Sequence, residues 1–142
     1  MLPGRLDRAG QVDATTVELR TTGGSHGIGR ATVERFARQG ARVAVGDLDA
    51  DLAAEVAAEY GDSVVAARLD VGSRESWVAF LEEVAHLGPW DVLVNNAGIM
   101  PLGSVLKEPD EVTKAIMDVN VYGVIHGTKL VAPGMVERGR GH

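Results

Sequence analysis

Thr22-Gly23-Gly24-Ser25-His26-Gly27-Ile28-Gly29 sets glycines at 23, 27 and 29 just ahead of a helical pattern. Glycines so spaced suit a tight turn that brings backbone N–H groups against a pyrophosphate, and the following helix adds the partial positive charge of its N-terminus. A loop that needs positive φ and nothing more would use the same residues. The surroundings of the turn therefore decide. Gly24 to Gly29 followed by Arg30-Ala31 comes close to the glycine, four residues, glycine, Lys, Ser/Thr pattern of a triphosphate-binding loop. The two positions that differ are the ones with chemistry to do. Ala31 cannot ligate Mg²⁺, and Arg30 does not replace a compact lysine ammonium.

Outward from the turn, apolar segments alternate between short β-branched runs and longer stretches at helical spacing. Ile28, Thr32, Val33, Phe36 and Ala37 form a helical stripe up to Gly40, which is placed to turn left-handed beyond a helix end. Leu52, Ala53, Val56 and Tyr60 make a second helix closed by Gly61, with Asp49 its natural N-cap. Ser73 caps a third, whose buried stripe is Trp77, Phe80, Leu81 and Val84 and whose end is Gly88-Pro89. From Val112 the pattern Ile116, Val119, Gly123, Gly127, Leu130 reads as two abutting helices or one long one, interrupted or kinked near Pro133.

Between these helices, Arg42–Val45, Ser63–Ala67 and Asp91–Val94 read as strands, and their near-continuous apolar content predicts a sheet covered on both faces. The alternation predicts an α/β chain, a three-layer Rossmann-type parallel sheet of about four strands joined by right-handed crossovers. A polar leader over about residues 1–13 precedes one domain over 14–142. The strand before the turn is the misfit. In Thr16-Val17-Glu18-Leu19-Arg20-Thr21, Glu18 and Arg20 share one face, and an unpaired buried charge costs several kcal/mol. Either both find partners, or this segment is not what the fold would choose.

Bulk properties exclude several function classes. A chain of 142 residues buries about 68–70% of the surface its unfolded form exposes, so one real core is expected. Twenty acidic against 14 basic side chains give a net charge of −6, and no Lys/Arg stripe could follow a nucleic-acid backbone. No cysteine is present, which fits a reducing cytoplasm, and the scattered His26, His86, His126 and His142 lack the spacing of a metal site. No run approaches the ~18 apolar residues of a membrane span, and the first twenty residues lack a signal peptide's apolar core.

Asp47 stands eighteen residues beyond Gly29, at the end of the second strand. An acid about 20 residues past such a turn accepts hydrogen bonds from adenosine ribose hydroxyls, and its charge repels a 2′-phosphate, which favours NAD over NADP. No Arg or Lys follows Asp47 at once to welcome that phosphate, and His26 alone within the turn could carry a positive charge.

Taken together, these residues resemble the short-chain dehydrogenases and reductases. Thr22-Gly23, three residues, then Gly27-Ile28-Gly29 matches that family's glycine motif, with Ser25 and His26 inside it. Asp70-Val71 is similar to its adenine-contacting pair, and Asn95-Asn96-Ala97-Gly98 to the signature after its fourth strand. Asp118-Val119-Asn120-Val121 looks like its asparagine-bearing helix. The resemblance covers about residues 21 to 142 and implies a nicotinamide dinucleotide on the turn. Asp70 would accept from the adenine amino group, the Val71 backbone would donate, and Asn96, Ala97 and Gly98 would pass under the riboses, with the asparagine tying the strand end to its neighbours. Asn120 would position the active-site lysine through a water. Methyltransferase-like domains share the turn and the acid but not Asn95–Gly98 or Asn120.

The family's reaction interconverts a secondary alcohol and a ketone, using a Ser and a Tyr–Lys pair four positions apart. Tyr60 has Val64 at that spacing and Tyr122 has His126. The resemblance therefore implies a cofactor-binding portion truncated before the catalytic segment and inactive alone, with a non-catalytic dinucleotide-binding fragment as the alternative. It also implies an unpaired apolar edge at the fourth strand, Asp91 to Asn95, which would leave the isolated chain poorly stable or prone to associate. Family members often pair through the helix corresponding to Val112–Val136.

Overall fold

The computed structural model describes residues 17–142; the polar leader, and Thr16 of the first strand, lie outside the described residues. Four strands form one parallel sheet in the order β3-β2-β1-β4, where β1 is Glu18–Thr22, β2 Arg42–Asp47, β3 Val64–Arg68 and β4 Val92–Val94. Parallel neighbours need crossovers. Helix α1 (Gly27–Arg38) links β1 to β2, α2 (Ala50–Ala58) links β2 to β3, and α3 (Arg74–Glu83) links β3 to β4. After β4 come α4 (Asp110–Met117), a π-helical turn (Asp118–Tyr122) and α5 (Gly123–Glu137).

The expected caps form. Asp49 accepts from the Leu52 amide at 3.1 Å and Ser73 from the Ser76 amide at 3.2 Å, each satisfying a donor that the first helical turn leaves open. Gly40, Gly61 and Gly88 take φ of 86°, 58° and 98°, so each ends its helical segment in a backbone conformation that a side chain resists.

Two cores lie on opposite faces of the sheet, as strands apolar on both sides require. Leu19, Val43 and Val45 meet Val33 of α1 and Ala53, Val56 and Ala57 of α2. Ala44 and Ala67 meet Trp77 and Phe80 of α3 and Val131 of α5. Two expectations change. Ile28 was expected in the buried stripe of α1, yet it is 78% exposed, because the first turn of that helix packs through Gly29 against Gly23 and Asn96; Gly29 and Val33 carry the buried face instead. The irregularity expected near Pro133 falls at the π turn, and Pro133 sits inside α5.

The misfit strand is real; Glu18 finds a counter-charge and Arg20 an aromatic face. Glu18 and Arg20 are 9% and 5% exposed. Register places Glu18 opposite Arg42 of β2, whose Nε donates to Glu18 Oε1 at 2.7 Å. Arg20 lies flat on the indole of Trp90, its guanidinium carbon 3.4 Å from the ring centroid. Burial raises the Glu18 carboxyl above its ordinary value, and the Arg42 bond and charge offset only part of that rise. A raised folded-state value means that the folded chain holds this proton more tightly than the unfolded one. The stabilising contribution is full below the ordinary glutamate range and is lost as pH rises through the raised value. Glu18→Gln, which keeps an acceptor for Arg42, is expected to melt progressively higher than the parent as pH climbs out of the ordinary glutamate range. A melting-temperature difference that is flat with pH would contradict this.

The bare edge expected at β4 is partly covered. Beyond α5 the chain turns back through Gly139, φ 66°, and its last residue lies alongside β4. The Leu93 amide donates to the His142 carbonyl at 2.9 Å, the His142 amide donates to the Asp91 carbonyl at 2.8 Å, and Arg140 pairs with Asp91 at 3.2 Å. The physical reason is the edge itself, whose open donors and acceptors take the nearest backbone.

Candidate functional site

At the carboxyl ends of the strands, where open α/β sheets bind ligands, a cleft of about 350 Å³ opens. Its parts come from all four strand ends. Gly23, His26 and Gly27 arrive from the turn after β1, Asp47 and Leu48 from the end of β2. Leu69, Asp70 and Val71 follow β3, and Asn96 to Ile99 follow β4, with Val119 reaching in from the π turn.

The turn is held by bonds that sequence adjacency does not reveal. Gly23 and Gly27 take φ of 62° and 49°, and the Gly23 amide continues the sheet ladder to the Gly46 carbonyl at 2.9 Å. The Ser25 amide donates to Asp47 Oδ2 at 3.0 Å, so the acid at the end of β2 holds the turn as well as facing the cleft. The other oxygen, Oδ1, accepts from the Asp49 amide at 3.1 Å. His26 is the N-cap of α1 and caps it with no side-chain bond, which leaves the first amides of the helix without a side-chain acceptor.

Thr22 and Asn96 lock turn and signature together. The Thr22 hydroxyl oxygen accepts from the Asn96 and Ala97 amides, both at 2.9 Å. Asn96 Nδ2 donates to the Thr22 carbonyl at 2.9 Å and the Gly23 carbonyl at 3.1 Å. The asparagine thus ties the end of β4 to its neighbour. Asp70 Oδ1 accepts from the Gly72 amide at 3.0 Å, and the Val71 carbonyl accepts from Trp77 Nε1 at 3.1 Å, which pins the post-β3 loop against α3.

Most of the residues expected from sequence meet in this cleft, but Ser25, Ile28, Gly29 and Asn120 lie outside its lining. Ser25 is 1% exposed beneath the turn and acts through its amide; Ile28 faces solvent. Gly29 is buried under the turn, where a Cβ would fall 2.6 Å from Asn96 Nδ2 and well inside contact with the Gly23 carbonyl oxygen. Asn120 clamps the loop after β4. Its Oδ1 accepts from the Ile99 amide at 2.9 Å and its Nδ2 donates to the Ile99 carbonyl at 2.8 Å. It sits in a π turn, a distortion that recurs at functional sites. The lining residues that motif reading missed, Leu48, Leu69, Ile99 and Val119, are each the chain neighbour of an expected one. Apolar side chains there carry no chemical signature; adjacency was the only signal.

The comparisons with known proteins agree with this geometry. The family model for short chain dehydrogenase matches residues 20–142. The probable oxidoreductase EphD of Mycobacterium tuberculosis is 42% identical over 128 residues, covering 87% of this chain and 22% of that protein. The 3beta-hydroxysteroid dehydrogenase 2 of Eggerthella lenta is 36% identical over 125 residues, covering 84% of this chain and 48% of that one. Among solved structures, a 3-ketoacyl-(acyl-carrier-protein) reductase from Brucella melitensis complexed with NADH superposes with a TM-score of 0.80 at 36% identity, over 87% of this chain and 52% of that one. A serine dehydrogenase complexed with NADP+ superposes with a TM-score of 0.84 at 33% identity, over 89% of this chain and 52% of that one. The chain thus spans about half, or less, of the length of these relatives. No described helix is long and apolar enough to cross a membrane. A match over residues 20–142, on the same turn, strand-end acid and asparagine signature that build the cleft, makes this chain a member of the short-chain dehydrogenase family.

Proposed function

We propose that the cleft binds a nicotinamide dinucleotide, NAD in preference to NADP, as the cofactor-holding part of an oxidoreductase acting on a secondary alcohol or ketone. The observation that carries this reading is the Asp47 carboxylate, set on the same cleft as the glycine turn and bonded to it. The residues fit the group. Nothing lies within 4 Å of where a Gly27 Cβ would stand, so the space over the turn is open to a pyrophosphate. The volume of about 350 Å³ lies within the usual range of ligand sites. Neighbours solved with NADH and with NADP+ support the class of cofactor without choosing between its members.

When bound, the dinucleotide supplies or accepts the hydride. The chain's own work is to hold and orient it. Gly23 shapes the turn, the open first amides of α1 from Gly27 on meet the pyrophosphate, Asp47 receives ribose hydroxyls, Asp70 and Val71 meet the adenine, and Asn96 to Gly98 bring small groups under the second ribose. Asn120 serves as a positioning residue through its grip on Ile99. The exposed Met117, Val121, Val124 and Ile125 along the α4–α5 segment support self-association of the protein there.

Asp47→Ala tests the reading. Loss of a charged acceptor for ribose hydroxyls is worth about 1.5–3 kcal/mol, so NADH affinity measured by fluorescence titration is expected to fall roughly 10- to 100-fold. The variant also loses the Ser25 bond, and the NADH-to-NADPH affinity ratio isolates the ribose effect, because a loosened turn weakens both cofactors alike. The ratio is expected to shift toward NADPH. Unchanged NADH binding would sink the site assignment. Reduction of NAD⁺ in the presence of a panel of secondary alcohols tests the oxidoreductase part of the reading.

A further inference from the structure

On the other side of the sheet's midline, between α3 and α5, lies a second hollow of about 250 Å³ that shares no residue with the dinucleotide cleft. Its walls are Leu81, Pro89, Leu130 and Val131, and its charged groups are two arginines. Arg20 is 5% exposed and Trp90 6%, with one face of the Arg20 guanidinium covered by the indole at 3.4 Å. That contact satisfies a face, and Arg20 Nε is buried without a hydrogen-bond partner among the described residues. Arg138 is exposed at the end of α5 and fastens itself by donating to the Trp90 carbonyl.

The hollow therefore holds two guanidinium groups, and among the described residues no carboxylate lines it. The acids nearest along the chain are engaged elsewhere, Glu18 with Arg42 and Asp91 with Arg140. Burial, and then the charge of Arg138, push the Arg20 guanidinium down to about 9, with no acid acting to raise it. It still carries its charge at neutral pH, and a buried charge without a counter-charge is a costly arrangement that an anion would relieve.

We propose that Arg20 and Arg138 form an anion site in this hollow, one that takes a small carboxylate with a short apolar tail. The planar fork of a guanidinium matches a carboxylate in a bidentate way. Arg20, pinned flat on Trp90, presents its free edge with little rotamer entropy left to lose. Arg138 supplies the second cation, and the leucine, proline and valine walls take the tail. Those walls offer no donors for the further oxygens of a phosphate.

The 142-residue chain, titrated with sodium butyrate against sodium chloride at equal ionic strength, tests the assignment through thermal melting and tryptophan fluorescence. Butyrate is expected to raise the melting temperature saturably in the millimolar range, by mass action on the folded state, while chloride and butanol do not. Arg20→Met should abolish the response, and Arg138→Gln should weaken it roughly tenfold. Should Arg20→Met fail to fold by circular dichroism, the exposed Arg138→Gln carries the decision alone. Absence of a saturable response, an undiminished response in a folded variant, or inorganic phosphate binding in preference to butyrate would each overturn the proposal.

Discussion

Gly29→Ala is expected to abolish measurable dinucleotide binding and to lower stability by about 3 kcal/mol. The added methyl would sit 2.6 Å from Asn96 Nδ2 and would intrude on the carbonyl oxygen of Gly23. Neither neighbour is a flexible side-chain tip. The carbonyl belongs to the turn, and the amide nitrogen is committed to the Thr22 and Gly23 carbonyls. Relief therefore requires α1 to move away from the turn, which displaces the first amides of that helix that would face a pyrophosphate.

Gly27→Ala is the control that separates crowding from conformational strain. Nothing lies within 4 Å of its Cβ position, and its φ of 49° imposes only the left-handed penalty of about 1–2 kcal/mol. The order expected in both NADH titration and thermal melting is parent, then Gly27→Ala, then Gly29→Ala. A Gly29→Ala chain that binds NADH as the parent does would show that the turn has more room than its contacts allow.

Trp77→Ala carries the other large effect. Trp77 is fully buried, meets Phe80 edge-on with ring centroids 6.2 Å apart at 81°, and lies where a Gly127 Cβ would come within 2.6 Å of its ring. Truncating a buried tryptophan costs about 3–5 kcal/mol, a large share of the roughly 5–15 kcal/mol available to a domain. The Val71 carbonyl also loses its indole donor. The melting temperature is expected to fall by roughly 10–20 °C. NADH affinity at a temperature where the variant remains folded should fall as well, since Val71 lines the cleft. Trp77→Phe keeps most of the packing and loses the hydrogen bond, so its shift should be less than half as large. A fall of only a few degrees for Trp77→Ala would mean that α5 closes over the gap.

Local chemistry determined a large part of this protein from sequence alone. The period of Val33, Phe36 and Ala37, the apolar runs of β2 and β3, the caps Asp49 and Ser73 and the glycines past helix ends all express preferences that act within a few residues. The order of strands and helices followed from them. So did the cleft's main residues, because a turn after one strand, an acid after the next and an asparagine signature after the fourth come together at one end of any parallel sheet.

What only the tertiary structure decided involves partners far apart in the chain. Glu18 and Arg20 looked unfit for a central strand, and their partners Arg42 and Trp90 were set by strand register and by the packing of the post-α3 segment. Ile28 shares the helical period of a buried residue, but the first turn of α1 packs through Gly29 against Gly23 and Asn96, and Ile28 is left facing solvent. Asn120 is a polar residue within a helical pattern until the loop after β4 brings Ile99 beside it. The covering of β4 by His142 depends on where α5 ends and how Gly139 turns the chain. In each case a side chain's or strand's own preference was legible, and the group that met it was supplied by packing across the sheet.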